Sequence, residues 1–328
     1  MTDGARGARD RARDLLATSP RTTRALAVVA RAASARQTAA KLRQLSTDLA
    51  VVEVPPVATG GRRVVVKLPG RVGRDQIATA LRYGWSAFEP PMPTVFAACA
   101  NRFPGVVYDI GANTGFYAVV AAHVNARNKV FAFEPFPPVR EHLVSTLRTN
   151  HCTDRVKVEA LALSSANGTA PLYIPLQDHG LVETSSSLSS QFKAEYSDVI
   201  DVTVVTVDYF TQERHPGRVA LIKIDVESFE SEVLSGAIEL LKTHRPIVFC
   251  EVLPKGDAKA IDATRRRTNY VDVQLHPSHA AIGGTVEFDN GSWNHMLVPI
   301  EKVDDVAVLL RDCGLDVVDA EGVAIPAT

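Results

Sequence analysis

A chain of 328 residues with 46% hydrophobic content can bury a full α/β core and still carry an extension, so one large domain plus an N-terminal appendage is expected. Its 36 basic and 37 acidic residues leave a net charge of -1, which gives no global reason for a nucleic-acid partner. Cys99, Cys152, Cys250 and Cys313 lack the paired spacing of a zinc or redox motif, and no run approaches the roughly 18 apolar residues of a membrane span. Reduced thiols in a cytoplasmic protein without a transmembrane segment are the expectation, and no signal-peptide core follows the basic N-terminus.

Residues 1–50 hold ten Lys or Arg against four acids, with leucines at loosely helical intervals, and read as one or two surface helices. Residues 51–54 and 63–68 read as two short strands around Pro55-Pro56 and Gly60-Gly61, which predicts a hairpin. The expected division is an N-terminal extension, residues 1–75, placed to cover the active site or to build a homo-oligomer contact, then a domain over 76–328. A short helix capped by Asp75 opens that domain. From residue 106 the pattern alternates strand and helix, as in a doubly wound parallel sheet with helices on both faces. Seven strands are placed, at 106–110, 129–134, 156–163, 219–226, 246–252, 271–275 and 296–300. An insertion over 164–210 carries a small β element, at 171–174 and 202–207, and a serine-rich stretch.

The first strand ends Val107-Tyr108-Asp109-Ile110-Gly111-Ala112-Asn113-Thr114-Gly115, and the second ends Phe133-Glu134-Pro135. Strand, glycine turn, helix and a second strand closing on an acid make a nucleotide-binding half-site. In a dinucleotide fold the turn approaches a pyrophosphate, and an acid two residues before the first glycine would set like charges together. Asn113 and Phe116 also stand where that fingerprint wants glycine. S-adenosylmethionine has no phosphate and carries an ammonium and a sulfonium, which suits Asp109 beside the turn. Asp109, Gly111, Asn113 and Gly115 are therefore expected to line its methionine half, the glycines by allowing close approach. Glu134 is placed to accept hydrogen bonds from the ribose diol. Phe136 either flanks the adenine or opens the next helix as a core aromatic.

A second constellation runs Ile222-Lys223-Ile224-Asp225-Val226-Glu227-Ser228-Phe229-Glu230, followed by Ile247-Val248-Phe249-Cys250-Glu251. Two more strands thus end in carboxylates, and an unpaired buried acid costs several kcal/mol, so a wet or ligand-filled cleft is expected at that edge. Together with Val233-Leu234-Ser235-Gly236-Ala237 and residues 294–299, these motifs resemble the FkbM family of S-adenosylmethionine-dependent methyltransferases over about residues 89–300. Ser228 stands where that family usually has glycine. The resemblance implies a class I methyltransferase fold, Rossmann-like with a mostly parallel seven-stranded sheet. It also implies O-methylation of a hydroxyl on a sugar, glycoconjugate or natural product.

Alcohols are poor nucleophiles near neutral pH, so a base is useful, and Asp225, Glu227 and Glu251 are the candidates, each with a supporting role as the alternative. Lys223, two residues from Asp225, is placed to share its sheet face, and pairing with a neighbouring acid is preferred to a catalytic role. Asp225, Glu227 and Glu251 are also of a type that suits magnesium, but no ligand spacing demands a metal. His276, His279 and His295 each read first as ordinary hydrogen-bonded histidines, with His295 the one to mutate first. The competing readings are an NAD-dependent oxidoreductase and a cofactor-binding scaffold without catalysis. Nucleic-acid methylation finds little support, because the basic residues cluster outside the expected cleft.

Overall fold

The computed structural model describes residues 51–59, 62–69, 76–81, 83–175, 185–193 and 195–326. The helices expected before residue 50 lie outside them. The central element is a nine-stranded sheet, in spatial order β5-β4-β3-β9-β10-β13-β11-β12-β14. Its strands are β3 (Val106–Ile110), β4 (Lys129–Phe133), β5 (Val156–Glu159), β9 (Val219–Ile224), β10 (Ile247–Glu251), β11 (Tyr270–Leu275), β12 (His279–Ile282), β13 (Asn294–Pro299) and β14 (Asp316–Asp319). Pairing is parallel from β5 through β10, whereas β13 runs antiparallel to both β10 and β11. All seven expected strands occur, and β12 and β14 extend the edge, so the sheet has nine strands rather than seven.

β3, β9 and β10 are buried at every position, which matches their continuous apolar runs. Successive residues of β3 serve opposite faces. Val107 joins a core under α2 (Met92–Arg102), α3 (Phe116–Val124) and α4 (Pro137–Thr149), while Tyr108 and Ile110 join a second core under α5 (Val207–Arg214), α6 (Glu230–Ser235) and α7 (Ile238–His244). Tyr108 anchors the second core through edge-on contacts with Phe131, Phe133 and Phe210. Its hydroxyl lies 3.0 Å from Thr211 Oγ1. α3 is apolar all round and correspondingly buried on nearly every side. Two prolines open α4, where missing amide hydrogens cost nothing.

The hairpin forms as expected, from β1 (Val51–Thr59) and β2 (Arg62–Pro69) paired antiparallel. It is not a loose appendage. Val64, Val66 and Leu68 are buried in the first core. The β2 backbone is pinned by Asn150, whose side chain accepts the Lys67 amide at 2.8 Å and donates to the Lys67 carbonyl at 2.6 Å. The short helix α1 (Gln76–Leu81) follows.

The segment expected as one strand over 156–163 divides. Val156 and Val158 alternate with Lys157 and Glu159 in β5, after which the alternation shifts by one and the large apolar residues become Leu161 and Leu163. That shift would turn the strand over within one sheet. The chain instead leaves the main sheet, and β6 (Ala162–Leu163) joins a second, three-stranded sheet with β8 (Tyr196–Val205) and β7 (Gly168–Pro175). This small sheet is the core of the expected insertion.

Candidate functional site

The chain turns from β3 to β4 on one side, while β9 pairs on the other, so the switch point of the sheet falls at β3. Open α/β sheets bind ligands outside the carboxyl ends of strands at such a point. A cleft with about 570 Å³ of empty space, counting what is open to solvent, lies there. Its floor is Ile110, Gly111, Asn113, Phe133 and Glu134; one wall is Asp225, Val226, Glu227 and Phe229. The other wall comes from Leu161 and Leu163 around β6 and from the insertion, through Leu172 and Ser186 to Leu188.

The turn after β3 is held by Gly111 and Ala112 amides donating to the Phe133 carbonyl at 3.1 and 3.0 Å. Packing by itself already requires its two glycines. At Gly111, φ is 74° and a Cβ would fall 1.8 Å from the Asp225 carbonyl oxygen. At Gly115, φ is 90° and a Cβ would fall 2.4 Å from Leu143 on α4. Gly115 is the residue before α3 and does not line the cleft, which corrects the expectation of close ligand approach there.

Glu134 is 4% exposed yet reaches the cleft. Its two oxygens accept the Phe136 amide at 2.9 Å and the Asn113 amide at 3.1 Å, so the carboxylate ties the two turns together. Burial pushes its carboxyl up to about 7, against the pull of those two amides. Phe136 supplies an amide rather than a ring to this site. Its side chain packs on Ala162, Leu172, Val202 and Val204 of the small sheet and is not itself among the residues lining the cleft, which favours the core-aromatic alternative.

Asp109 also departs from expectation. It shares the face of Val107, is 1% exposed and does not line the cleft. Neither oxygen accepts a hydrogen bond of ordinary geometry. Burial raises its pKa to about 6, with the nearby Lys223 charge opposing. Its negative charge therefore meets a lysine of its own chain rather than the cleft.

Lys223, 3% exposed, is the pivot of this face. Its ammonium donates to Asp225 Oδ2 at 2.8 Å, the pairing expected from the sequence, and lies 4.5 Å from the centre of the Tyr117 ring. Its acidic neighbours, Asp225 first, hold its pKa above the ordinary lysine value despite burial. Tyr117 in turn donates its hydroxyl to Glu89 Oε2 at 2.9 Å. Glu89, Asp225 and Glu251 each present an oxygen within 4.8 Å of the others. Burial, then the Asp225 charge, pushes Glu89 up to about 7 and raises Glu251 well above the ordinary glutamate value. Glu89 went unrecognised in the sequence reading; the only local signal was an acid directly before Pro90-Pro91, a setting that rigidifies the backbone.

Glu227 and Ser228 form the turn beyond β9, with φ of 58° and 74°. Two consecutive residues in the left-handed region explain why glycine suits the second. The insertion braces this turn: Ser187 Oγ lies 2.7 Å from the Glu227 carbonyl and 3.2 Å from the Val226 carbonyl. Glu230, opening α6, accepts the Val226 amide at 3.1 Å. His295 faces the opposite side of the sheet from Glu251, with Nδ1 3.0 Å from Asp272 Oδ1, and does not join the acidic group. His276 and His279 stack on each other at 4.3 Å.

Strand order, switch-point cleft and strand-end carboxylates define the class I methyltransferase fold. Residues 109–316, more than half of the chain, match the Methyltransferase FkbM domain, and the chain belongs to that family. It is 28% identical over 156 residues to the methyltransferase sdnD of Sordaria araneosa, covering 40% of this chain and 60% of that protein. The chain thus spans about three fifths of the length of this curated relative. Among solved structures, the methyltransferase FkbM of Methylobacillus flagellatus KT is similar at 15% identity and a TM-score of 0.42, covering 67% of this chain and 52% of that one. The O-methyltransferase TomG of Streptomyces achromogenes is similar at 12% identity and a TM-score of 0.37, covering 64% of this chain and 80% of that one. Among the described residues no helix is long and apolar enough to cross a membrane.

Proposed function

We propose that this protein transfers a methyl group from S-adenosylmethionine to a hydroxyl of a sugar, glycoconjugate or other small natural product. The observation that carries this reading is the position of Glu134: a buried carboxylate at the tip of β4, raised to about 7, facing a cleft at the switch point. Such a group needs hydrogen-bond donors, and a ribose diol supplies two where a phosphate would repel it. With Gly111 and Asn113 in the same floor, the residues present fit an adenosyl ligand. An NAD-dependent oxidoreductase is disfavoured by the same acid and by membership of a methyltransferase family.

S-adenosylmethionine supplies an electrophilic methyl group on a sulfonium. The chain's contribution is to hold the acceptor oxygen in line with that methyl group and to take its proton. Glu227, by its place in the cleft wall, and Glu251, at the end of β10 outside the cleft lining, are the candidates to accept the hydroxyl proton, while Asp225 pairs with Lys223. A raised pKa such as that of Glu251 brings a carboxylate nearer the range in which a general base works best at neutral pH. The insertion, through Ser187 and Leu188, walls one side of the cleft.

Thermal unfolding in the presence of S-adenosylhomocysteine or NAD tests the cofactor: the first should raise Tm and the second should not. Label transfer from methyl-labelled cofactor to saccharide or polyketide alcohols tests the reaction. Stabilisation by NAD alone would overturn the reading, and cofactor binding without transfer to any alcohol would leave the scaffold in its place.

A further inference from the structure

Four carboxylates stand around one ammonium on the face of the sheet that carries Lys223. Asp109 and Asp225 flank it, and Glu89 and Glu251 converge with Asp225 from separate segments, their oxygens within 4.8 Å. Internal partners satisfy this group unevenly. Asp225 has Lys223 and Glu89 has the Tyr117 hydroxyl, but the carboxylate of Glu251, in a residue 9% exposed, has neither a hydrogen bond nor an ion pair among the described residues.

A neutral residue beside the acids is orphaned in the same way. Asn294, 8% exposed, lies opposite Glu251 in the antiparallel pairing of β10 with β13, so the two side chains leave the sheet on one face as near neighbours. Its Oδ1 is buried without a hydrogen-bond partner. Two buried acceptors thus share a face with further carboxylates that have only the Lys223 charge among them. An oxygen-only set of carboxylates and one amide carbonyl is the ligand chemistry of a hard divalent cation.

We propose that Glu89, Asp225, Glu251 and Asn294 bind one divalent cation, of the magnesium or manganese class, at the end of β10. The cation offsets the excess of carboxylates over Lys223 on this face. If the cleft takes an alcohol acceptor, as proposed above, the cation binds its oxygens and leaves Glu227 to receive the proton. That role in transfer rests on the methyltransferase reading; cation binding itself does not.

The test is titration of the purified chain with manganese chloride, followed by loss of the free-ion paramagnetic resonance signal, with magnesium chloride as competitor. One site per chain with Kd below about 1 mM is expected. Glu251→Gln and Glu89→Gln should each weaken it by about tenfold or more. Asn294→Asp, which keeps an acceptor oxygen and adds charge, should retain or tighten binding, whereas Asn294→Leu should weaken it. If Asn294 instead serves only as a hydrogen-bond donor to Glu251, the aspartate variant would bind no better than the leucine variant, and its assignment as a ligand would fall. No binding below about 1 mM, or binding unchanged in both glutamate variants, would overturn the site. Stabilisation by S-adenosylhomocysteine, measured on every variant, checks that each is folded. It also separates the two readings, since S-adenosylhomocysteine binding without manganese binding removes the cation alone, and the reverse removes the cofactor assignment alone.

Discussion

Glu134→Gln removes one charge from the cleft floor while keeping the side chain's shape. In the wild-type chain the Phe136 and Asn113 amides occupy one lone pair on each carboxylate oxygen, which leaves a second pair on each for a ligand. Hydrogen bonds to a charged acceptor contribute about 1.5 to 3 kcal/mol and those to a neutral one about 1 kcal/mol. Glutamine offers a single oxygen and turns its amide against one of the two backbone donors. A loss of about 2 kcal/mol is expected, which is about a 30-fold weaker Kd for S-adenosylhomocysteine. The pH dependence sharpens the test. Ribose hydroxyls donate to the ionised form, so binding lowers the Glu134 pKa below its ligand-free value of about 7. Wild-type affinity should therefore fall by about tenfold from pH 8 to pH 6, and the Glu134 share of that slope should vanish in the glutamine variant. Calorimetric titrations of both proteins at the two pH values decide it. Affinities within twofold of each other at pH 8, or identical slopes, would refute the reasoning.

The other predictions concern stability. Folded-state pKa values of about 6 for Asp109 and about 7 for Glu89, Glu134 and Glu230 all exceed the ordinary carboxylate values of 3.8 and 4.5, so the native state binds more protons than the unfolded chain across that window. Stability of the ligand-free protein should then decline as pH rises from about 4.5 to 7, and a Tm that climbs over the same interval would contradict this. Lys223→Met should cost about 3 to 5 kcal/mol at pH 8 in urea unfolding, because it strands Asp109 and Asp225 without their counter-charge. The loss should shrink at pH 5, where Asp109 takes up a proton; an equal loss at both values would assign the effect to packing. Ser228→Gly should stabilise the chain by about 0.5 to 1 kcal/mol, the left-handed penalty at φ 74° less the added entropy of the unfolded glycine. Destabilisation would mean that the serine side chain itself holds the turn.

The linear pattern carried most of the sheet. Apolar runs ending in acids, at Asp109, Glu134, Asp225 and Glu251, declared strands and a polar carboxyl edge, because double-sided burial leaves a strand no polar positions except at its end. The family motifs were legible for the same reason: they are contiguous. Strand order, by contrast, depends on which elements pack together. Nothing in the 156–163 alternation alone says that Leu163 serves a second sheet with β8. The hairpin was visible from its turn residues, but its burial against α3 and α4 was not.

The candidate site divides along the same line. Sequence by itself determined which residue types were available and that carboxylates would gather where the strands end. Only the tertiary structure decided which of them meet: it drew Asp109 away from the cleft to Lys223, turned Phe136 onto the small sheet, and set His295 on the far face. It also carried Glu89 from before α2 and Asn294 from the start of β13 to the neighbourhood of Glu251, across separations that local periodicity does not encode. The physical reason is that alternation along a strand assigns a face, while the charge environment on that face is the sum of what other segments bring to it.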